Sequence, residues 1–106
     1  MFFKNKKEKK LTVSGDNIKK LAAEFEPVIA LSGEKDAAGL KKLQRAVSYF
    51  YPKADDKEAC ERIEKKIKNC LDDLKIVLSS KTPDEIKIKN YLAALERAVS
   101  EREARN

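Results

Sequence analysis

The chain has 106 residues, of which 24 are basic and 18 acidic, and it contains two cysteines but no histidine or tryptophan. This length suits one domain with one hydrophobic core, and a hydrophobic content of 42% argues against disorder throughout. The lack of histidine excludes serine–histidine and cysteine–histidine nucleophile pairs and removes the commonest metal ligand.

The net charge of +6 is distributed unevenly. Residues 1–10 hold five lysines and one glutamate, so they account for four of the six charges and leave +2 for the other 96 residues. We therefore predict a flexible basic N-terminal tail over residues 1–13 and a single, nearly neutral domain over residues 14–106. The longest apolar run has five residues, far fewer than a membrane span or the core of a signal peptide needs.

The first predicted helix begins at Ser14 or Asp16 and carries apolar residues at helical spacing. Pro27 is expected to kink this helix or end its first part because proline has no N–H to donate. Gly33 is expected to end the helix in the left-handed conformation. The apolar face consists of Ile18, Leu21, Ala22, Phe25, Val28 and Ile29.

The second predicted helix starts at Asp36 and ends before Pro52, and Gly39 weakens it by about 1 kcal/mol relative to alanine. Its apolar face consists of Leu40, Leu43, Val47 and Phe50.

The third and fourth predicted helices carry the longest apolar stripes. The third runs from Asp55 to Ser80, with Asp55 and Asp56 at its start and with acid-first pairs such as Glu64/Lys68 along its surface. The fourth starts with Thr82 as its cap and is expected to fray after residue 101. Their stripes consist of Cys60, Ile63, Ile67, Cys70, Leu74 and Val77, and of Ile88, Tyr91, Leu92, Leu95 and Val99.

These four segments predict an all-α fold, an antiparallel four-helix bundle that two αα-hairpins would build. If Pro27 and Gly39 break the early helices, the alternative is a three-helix bundle with a short extra helix. Residues 40–48 and 92–100 match at six of nine positions. Either a duplicated hairpin or the shared pattern of amphipathic helices would explain that match.

Cys60 and Cys70 lie about 15 Å apart along the axis of the third helix, too far for a mutual disulfide. On an apolar stripe they are expected to act as small core hydrophobes. Unpaired thiols are typical of a reducing compartment, so we expect a cytoplasmic protein that is either free or peripheral at a membrane.

Tyr49 and Tyr51 flank Phe50 at the end of the second helix, and three consecutive aromatic residues cannot all face one core. Either Phe50 packs inside while the two tyrosines cover the end of the bundle, or the tyrosines form a candidate partner patch. The domain has a local positive excess on and just after this helix, a candidate second basic patch made of Lys41, Lys42, Arg45 and Lys53.

The tail joins two aromatic residues to five lysines and is a candidate contact for an anionic surface, through Phe2, Phe3, Lys4, Lys6, Lys7, Lys9 and Lys10. No motif for catalysis, a cofactor or a metal is found in the sequence. We therefore expect a non-enzymatic interaction or adaptor module with an unknown protein partner. Its basic arm either contacts an anionic membrane or is a disordered terminus that only keeps the chain in solution. A homodimer formed through the third helix is a further option. The alternative function is that of a non-specific nucleic-acid-binding accessory protein.

Overall fold

The computed structural model describes residues 17–51 and 56–105, and in these ranges the chain forms helices and no strand. Residues 17–23 are helical and continue into α1 through one turn residue, Glu24. The further helices in these ranges are α1 (Phe25–Leu31), α2 (Glu34–Ser48), α3 (Lys57–Leu78) and α4 (Glu85–Glu103). The predicted all-α class is confirmed for this part of the chain.

The four labelled helices pack against each other. The most extensive contact is between α3 and α4, while α1 packs against α2 and α3, and α2 also packs against α4. The end of α4 lies beside the first half of α3, as the hydrogen bond from Arg102 to Glu64 indicates. Gln44, late in α2, likewise bonds the carbonyl of Ala22, which precedes α1.

One hydrophobic core joins all of these helices. Burying a single valine, leucine, isoleucine or phenylalanine contributes about 1.5–3 kcal/mol, so the core is the main source of stability. Its buried members are Ile18, Leu21, Phe25, Val28, Leu40, Val47, Phe50, Ile63, Ile67, Leu71, Leu74, Leu95, Ala98 and Val99. The apolar stripes found in the sequence supply nearly all of these residues.

The interruption expected from Pro27 occurs three residues earlier, at Glu24. Pro27 has no N–H to donate to the carbonyl of Ala23, four residues before it, so the helical bonding pattern is broken at this point. The conformation expected for Gly33 is wrong. Its φ of −73° and ψ of 166° are extended rather than left-handed, and it serves as the residue before the first turn of α2.

Three helices begin at different residues from those expected. The third starts at Lys57 rather than Asp55 and ends at Leu78 rather than Ser80. The second helix starts at Glu34 rather than Asp36, and it continues through Gly39 without a break. The fourth is capped by Asp84 and not by Thr82, since the Asp84 carboxylate accepts hydrogen bonds from the N–H groups of Ile86 and Lys87. Placing the cap two residues later puts Pro83 outside the helix.

The surface ion pairs of α3 also differ from the acid-first pairs expected. Lys57 pairs with Glu61 at 3.9 Å and Lys68 with Asp72 at 3.8 Å, so in both pairs the cation comes first. Glu64, which was assigned to Lys68, instead bonds Arg102 on α4. A long-range partner has therefore replaced the local one.

Candidate functional site

A buried arginine holds the end of α4 in the core. The Arg102 side chain has no exposed surface, and its Nε donates to Glu64 Oε2 at 2.8 Å. A second guanidinium nitrogen donates to the backbone carbonyl of Tyr51, and the guanidinium carbon lies 4.8 Å from the centre of the Phe50 ring. We call these groups the Arg102 cluster. The fraying expected after residue 101 is wrong, because this cluster fixes residue 102.

A second arginine at the end of α4 reaches the far side of the connection between α2 and α3. Arg105 donates to the carboxylate of Asp56, the residue before α3. Asp55 and Asp56 were expected to supply the cap and a first-turn charge of this helix. The Asp56 side chain makes no capping hydrogen bond and pairs with Arg105 instead. The residues at the end of α4 therefore contact the chain on both sides of residues 52–55. Residues 52–55, which include Lys53 and Asp55, lie outside the described residues.

The two candidate tyrosines lie on either side of Phe50, whose ring belongs to the Arg102 cluster. Phe50 is 5% exposed and packs in the core, whereas Tyr49 is 69% exposed and Tyr51 is 66% exposed. The N–H groups of Tyr49 and Phe50 donate to the carbonyls of Ala46 and Val47, both at 3.1 Å, so the backbone leaves α2 in an ordered turn. We call Tyr49 and Tyr51 the tyrosine pair.

An open groove runs between α2 and the helical residues before and within α1. Its volume is about 570 Å³. We call it the α1–α2 groove, and its lining residues are Ala22, Ala23, Glu26, Ile29, Lys41, Gln44, Arg45 and Ser48. Gln44 Nε2 lies 2.9 Å from the carbonyl oxygen of Ala22 and 3.1 Å from Glu26 Oε1. These two hydrogen bonds hold Gln44 and Glu26 in place within the groove.

The candidate second basic patch is divided between two places. Lys41 and Arg45 line the α1–α2 groove. Lys42 lines a different groove of about 250 Å³ between α2 and α4, beside Asp36 and Glu96. Of the three patch residues that the structure describes, Lys41 and Arg45 therefore lie together and Lys42 lies apart from them.

The thiols have the character expected of packing residues. Cys60 is buried, and Cys70 is half-buried at a groove of about 410 Å³ between α3 and α4. Burial raises the pKa of the Cys70 thiol above its ordinary value of 9.0, and the negative charge of Asp73 raises this pKa further. A thiol with a raised pKa is a poor nucleophile at neutral pH.

Several further features bear on function. Within residues 17–51 and 56–105, no three or more cysteine, aspartate or glutamate side chains form a group that could hold a metal ion. No helix in these ranges is long and apolar enough to cross a membrane. The candidate anionic-surface contact, from Phe2 to Lys10, lies outside the described residues.

Sequence reasoning missed the Arg102 cluster and the roles of Gln44 and Glu26. Arg102 does continue the apolar stripe of α4, three residues after Val99, and this spacing is the signal that could have located it. No local pattern marks Gln44 or Glu26, which lie 18 residues apart. Comparison with protein-family models, curated proteins and solved structures found no match for this chain.

Proposed function

We propose that this chain is a small, non-enzymatic protein–protein interaction or adaptor module, built as an antiparallel four-helix bundle of two αα-hairpins. The contacts of α1 with α2 and of α3 with α4 support two hairpins. The contacts of α1 with α3 and of α2 with α4 support their packing side by side into one bundle.

The tyrosine pair is the observation that carries the functional proposal. Phe50 is clamped between the core and the guanidinium of Arg102, so the residues on either side of it are presented by a fixed backbone. Tyrosine supplies a large apolar surface with a hydrogen-bonding tip and loses little conformational entropy on binding. Such aromatic side chains are enriched among the residues that dominate protein–protein affinity.

Quantitative affinity enrichment tests the proposal. The tagged full chain and the variant Tyr49→Ala/Tyr51→Ala are used to enrich proteins from cells that produce the chain. Interfaces lose about 2 kcal/mol or more when an aromatic anchor is truncated, so we expect at least one protein to be depleted about tenfold or more with the variant.

The matched control is Ile76→Ala/Ile86→Ala, which truncates two other large, exposed side chains on α3 and α4. We expect this control to retain the same proteins as the unmodified chain, and purified partner and chain must then bind directly. The proposal is wrong if no protein distinguishes the tyrosine variant from the control while all three chains remain folded.

The second part of the proposal is that the basic arm contacts an anionic membrane. Each basic residue near an anionic leaflet contributes about 1 kcal/mol, and apolar side chains add to this. The test compares the full chain with a full-length variant that carries glutamine at each lysine of the arm. We expect binding to phosphatidylserine vesicles to fall with added salt and to disappear in the variant. Equal binding by both chains would contradict the role of the arm.

The alternative function, non-specific nucleic-acid binding, has one observation in its favour. Lys41, Arg45 and Tyr49 follow one another at intervals of four residues, and cations combined with an exposed aromatic ring suit single-stranded nucleic acid. The Glu26 carboxylate in the same groove would repel phosphates. A salt series with single-stranded RNA and duplex DNA, run beside the vesicles, decides between the two functions.

A further inference from the structure

The α1–α2 groove contains two cations without an acidic partner. Lys41 and Arg45 lie one helical turn apart on the exposed side of α2 and both line the groove. Neither has a carboxylate oxygen within 4 Å in the part of the chain that the structure describes. The one acidic group of the groove, Glu26, is held by Gln44 instead.

The helical residues before and within α1 give the groove small and apolar side chains. Ala22 and Ala23 line the same groove as the two cations, and neither side chain extends beyond a methyl group. Ile29 adds an apolar surface at one end. Small residues let two helix backbones approach closely, while the apolar surface stabilises the contact.

Tyr49 extends the same stripe of α2. It follows Arg45 by four residues and Lys41 by eight, which spans about 12 Å along a helix axis, or a little more than two turns. A partner helix that lies along this stripe would meet two cations and then an exposed aromatic ring. Acidic residues at a spacing of four on that partner would face the two cations in turn.

We propose that the α1–α2 groove binds an acidic amphipathic helix of a partner protein. The proposal rests on the proposed interaction function and names the chemistry of the partner. The small side chains of Ala22 and Ala23 leave room for a helix, and Glu26 in the groove suits a peptide that carries an occasional basic residue but disfavours a polyphosphate. The lysine-rich arm of this chain has the same charge sign as Lys41 and Arg45, so it is not the expected occupant.

The test uses the full chain labelled for NMR and a synthetic peptide as the probe. The peptide has about 16 residues, long enough for an isolated helix, with glutamates every fourth residue on one side and leucines and alanines on the other. We expect amide shifts at residues of the α1–α2 groove on titration. The variant Lys41→Glu/Arg45→Glu should weaken this binding about tenfold or more. A lysine version of the peptide should bind the variant more tightly than it binds the unmodified chain.

The matched control is Lys87→Glu/Lys89→Glu, which changes the net charge equally on the exposed side of α4 and lies outside the groove. It should bind the acidic peptide within about twofold of the unmodified chain. Equal weakening by both variants would overturn the groove assignment and indicate an effect of net charge alone. Groove shifts that appear with protein concentration alone would also overturn it, in favour of a second copy of this chain.

A single-stranded oligouridylate is titrated in parallel. Groove shifts at lower concentrations of this RNA than of the acidic peptide would overturn the helix assignment in favour of nucleic acid.

The affinity enrichment that tests the interaction function depends on Tyr49 and Tyr51 together. A partner lost in the tyrosine variant but kept by Lys41→Glu/Arg45→Glu would overturn the groove proposal and leave the interaction function intact.

Discussion

Arg102 brings a full positive charge into the core, where an isolated ion is strongly disfavoured. Three groups offset that cost: the Glu64 carboxylate, the Tyr51 carbonyl and the face of the Phe50 ring. Glu64 lies on α3, and Tyr51 and Phe50 lie in the segment that directly follows α2. One side chain on α4 therefore fixes the relative position of three helices at this end of the molecule.

Replacing Arg102 by alanine should lower the free energy of unfolding by about 3–5 kcal/mol, because it strands a partly buried carboxylate and leaves a cavity. Arg105→Ala is the matched control. Its ion pair with Asp56 is about 40% exposed, so we expect a loss of only about 0–1 kcal/mol. Urea denaturation of both variants measures the difference, and similar losses for the two would contradict a structural role for the Arg102 cluster.

Cys70 should react slowly with alkylating reagents at neutral pH. Burial and the neighbouring Asp73 raise the pKa of its thiol, so little reactive thiolate is present. The pH–rate profile of iodoacetamide labelling, read by mass spectrometry, should rise at a higher pH than that of a cysteine peptide. Asp73→Asn should move the profile back toward lower pH. A Cys70 that reacts as fast as the peptide would contradict this account.

The same pKa shift has a consequence for stability. The thiol ionises at a higher pH in the folded chain than in the unfolded chain. Its contribution to stability is therefore complete below the unfolded pKa, near 9, and is lost as the pH rises through the folded pKa.

At the scale of a helix, the low helix propensity of Gly39 makes α2 less stable than it would be with alanine at this position. Gly39 is helical and exposed, and a Cβ added there would meet no atom within 4 Å. Gly39→Ala should therefore raise the free energy of unfolding by about 1 kcal/mol. Gly33→Ala, at the extended residue before α2, should give no gain, since alanine is a poorer residue than glycine at that position. Thermal unfolding of the two variants compares them directly.

The start of α4 depends on a single carboxylate. Asp84→Ala should cost about 0.5–2 kcal/mol, because the N–H groups of Ile86 and Lys87 lose their acceptor. Thr82→Ala, two residues earlier, should change the stability by less than about 0.5 kcal/mol. The opposite ranking in urea denaturation would restore Thr82 as the cap.

Periodicity predicted the helices well and their ends less well. The apolar stripes of α3 and α4 could be predicted from the spacing of residues such as Ile63, Ile67 and Leu95. A helix needs this spacing to bury one face, whichever other helices pack against it. The residue at which a helix begins depends on which of several possible capping residues accepts hydrogen bonds from the free N–H groups of the first turn. Thr82 and Asp84 both suit a cap, and the Asp84 carboxylate is the group that accepts hydrogen bonds from the N–H groups of the first turn.

For the whole molecule, contacts that are distant in sequence decide what the surface presents. The basic excess of the second helix was visible in the sequence, but its division between two grooves depends on where α1 and α4 pack. The crowding of three consecutive aromatic residues indicated that at least one ring is exposed, and the structure exposes both Tyr49 and Tyr51. The contacts that hold the backbone beside these tyrosines could not be predicted, because they require Arg102, which lies 51 residues after Tyr51.

The most direct test of an interaction module is photo-crosslinking in intact cells that produce the protein. A benzophenone amino acid replaces Tyr49 in one full-length chain and Ile86 in another, since the side chains of both residues are about 70% exposed. We expect a covalent adduct with another protein from position 49 and none of that adduct from position 86. Identical adducts from both positions, or no adduct from position 49, would contradict the proposed interaction function.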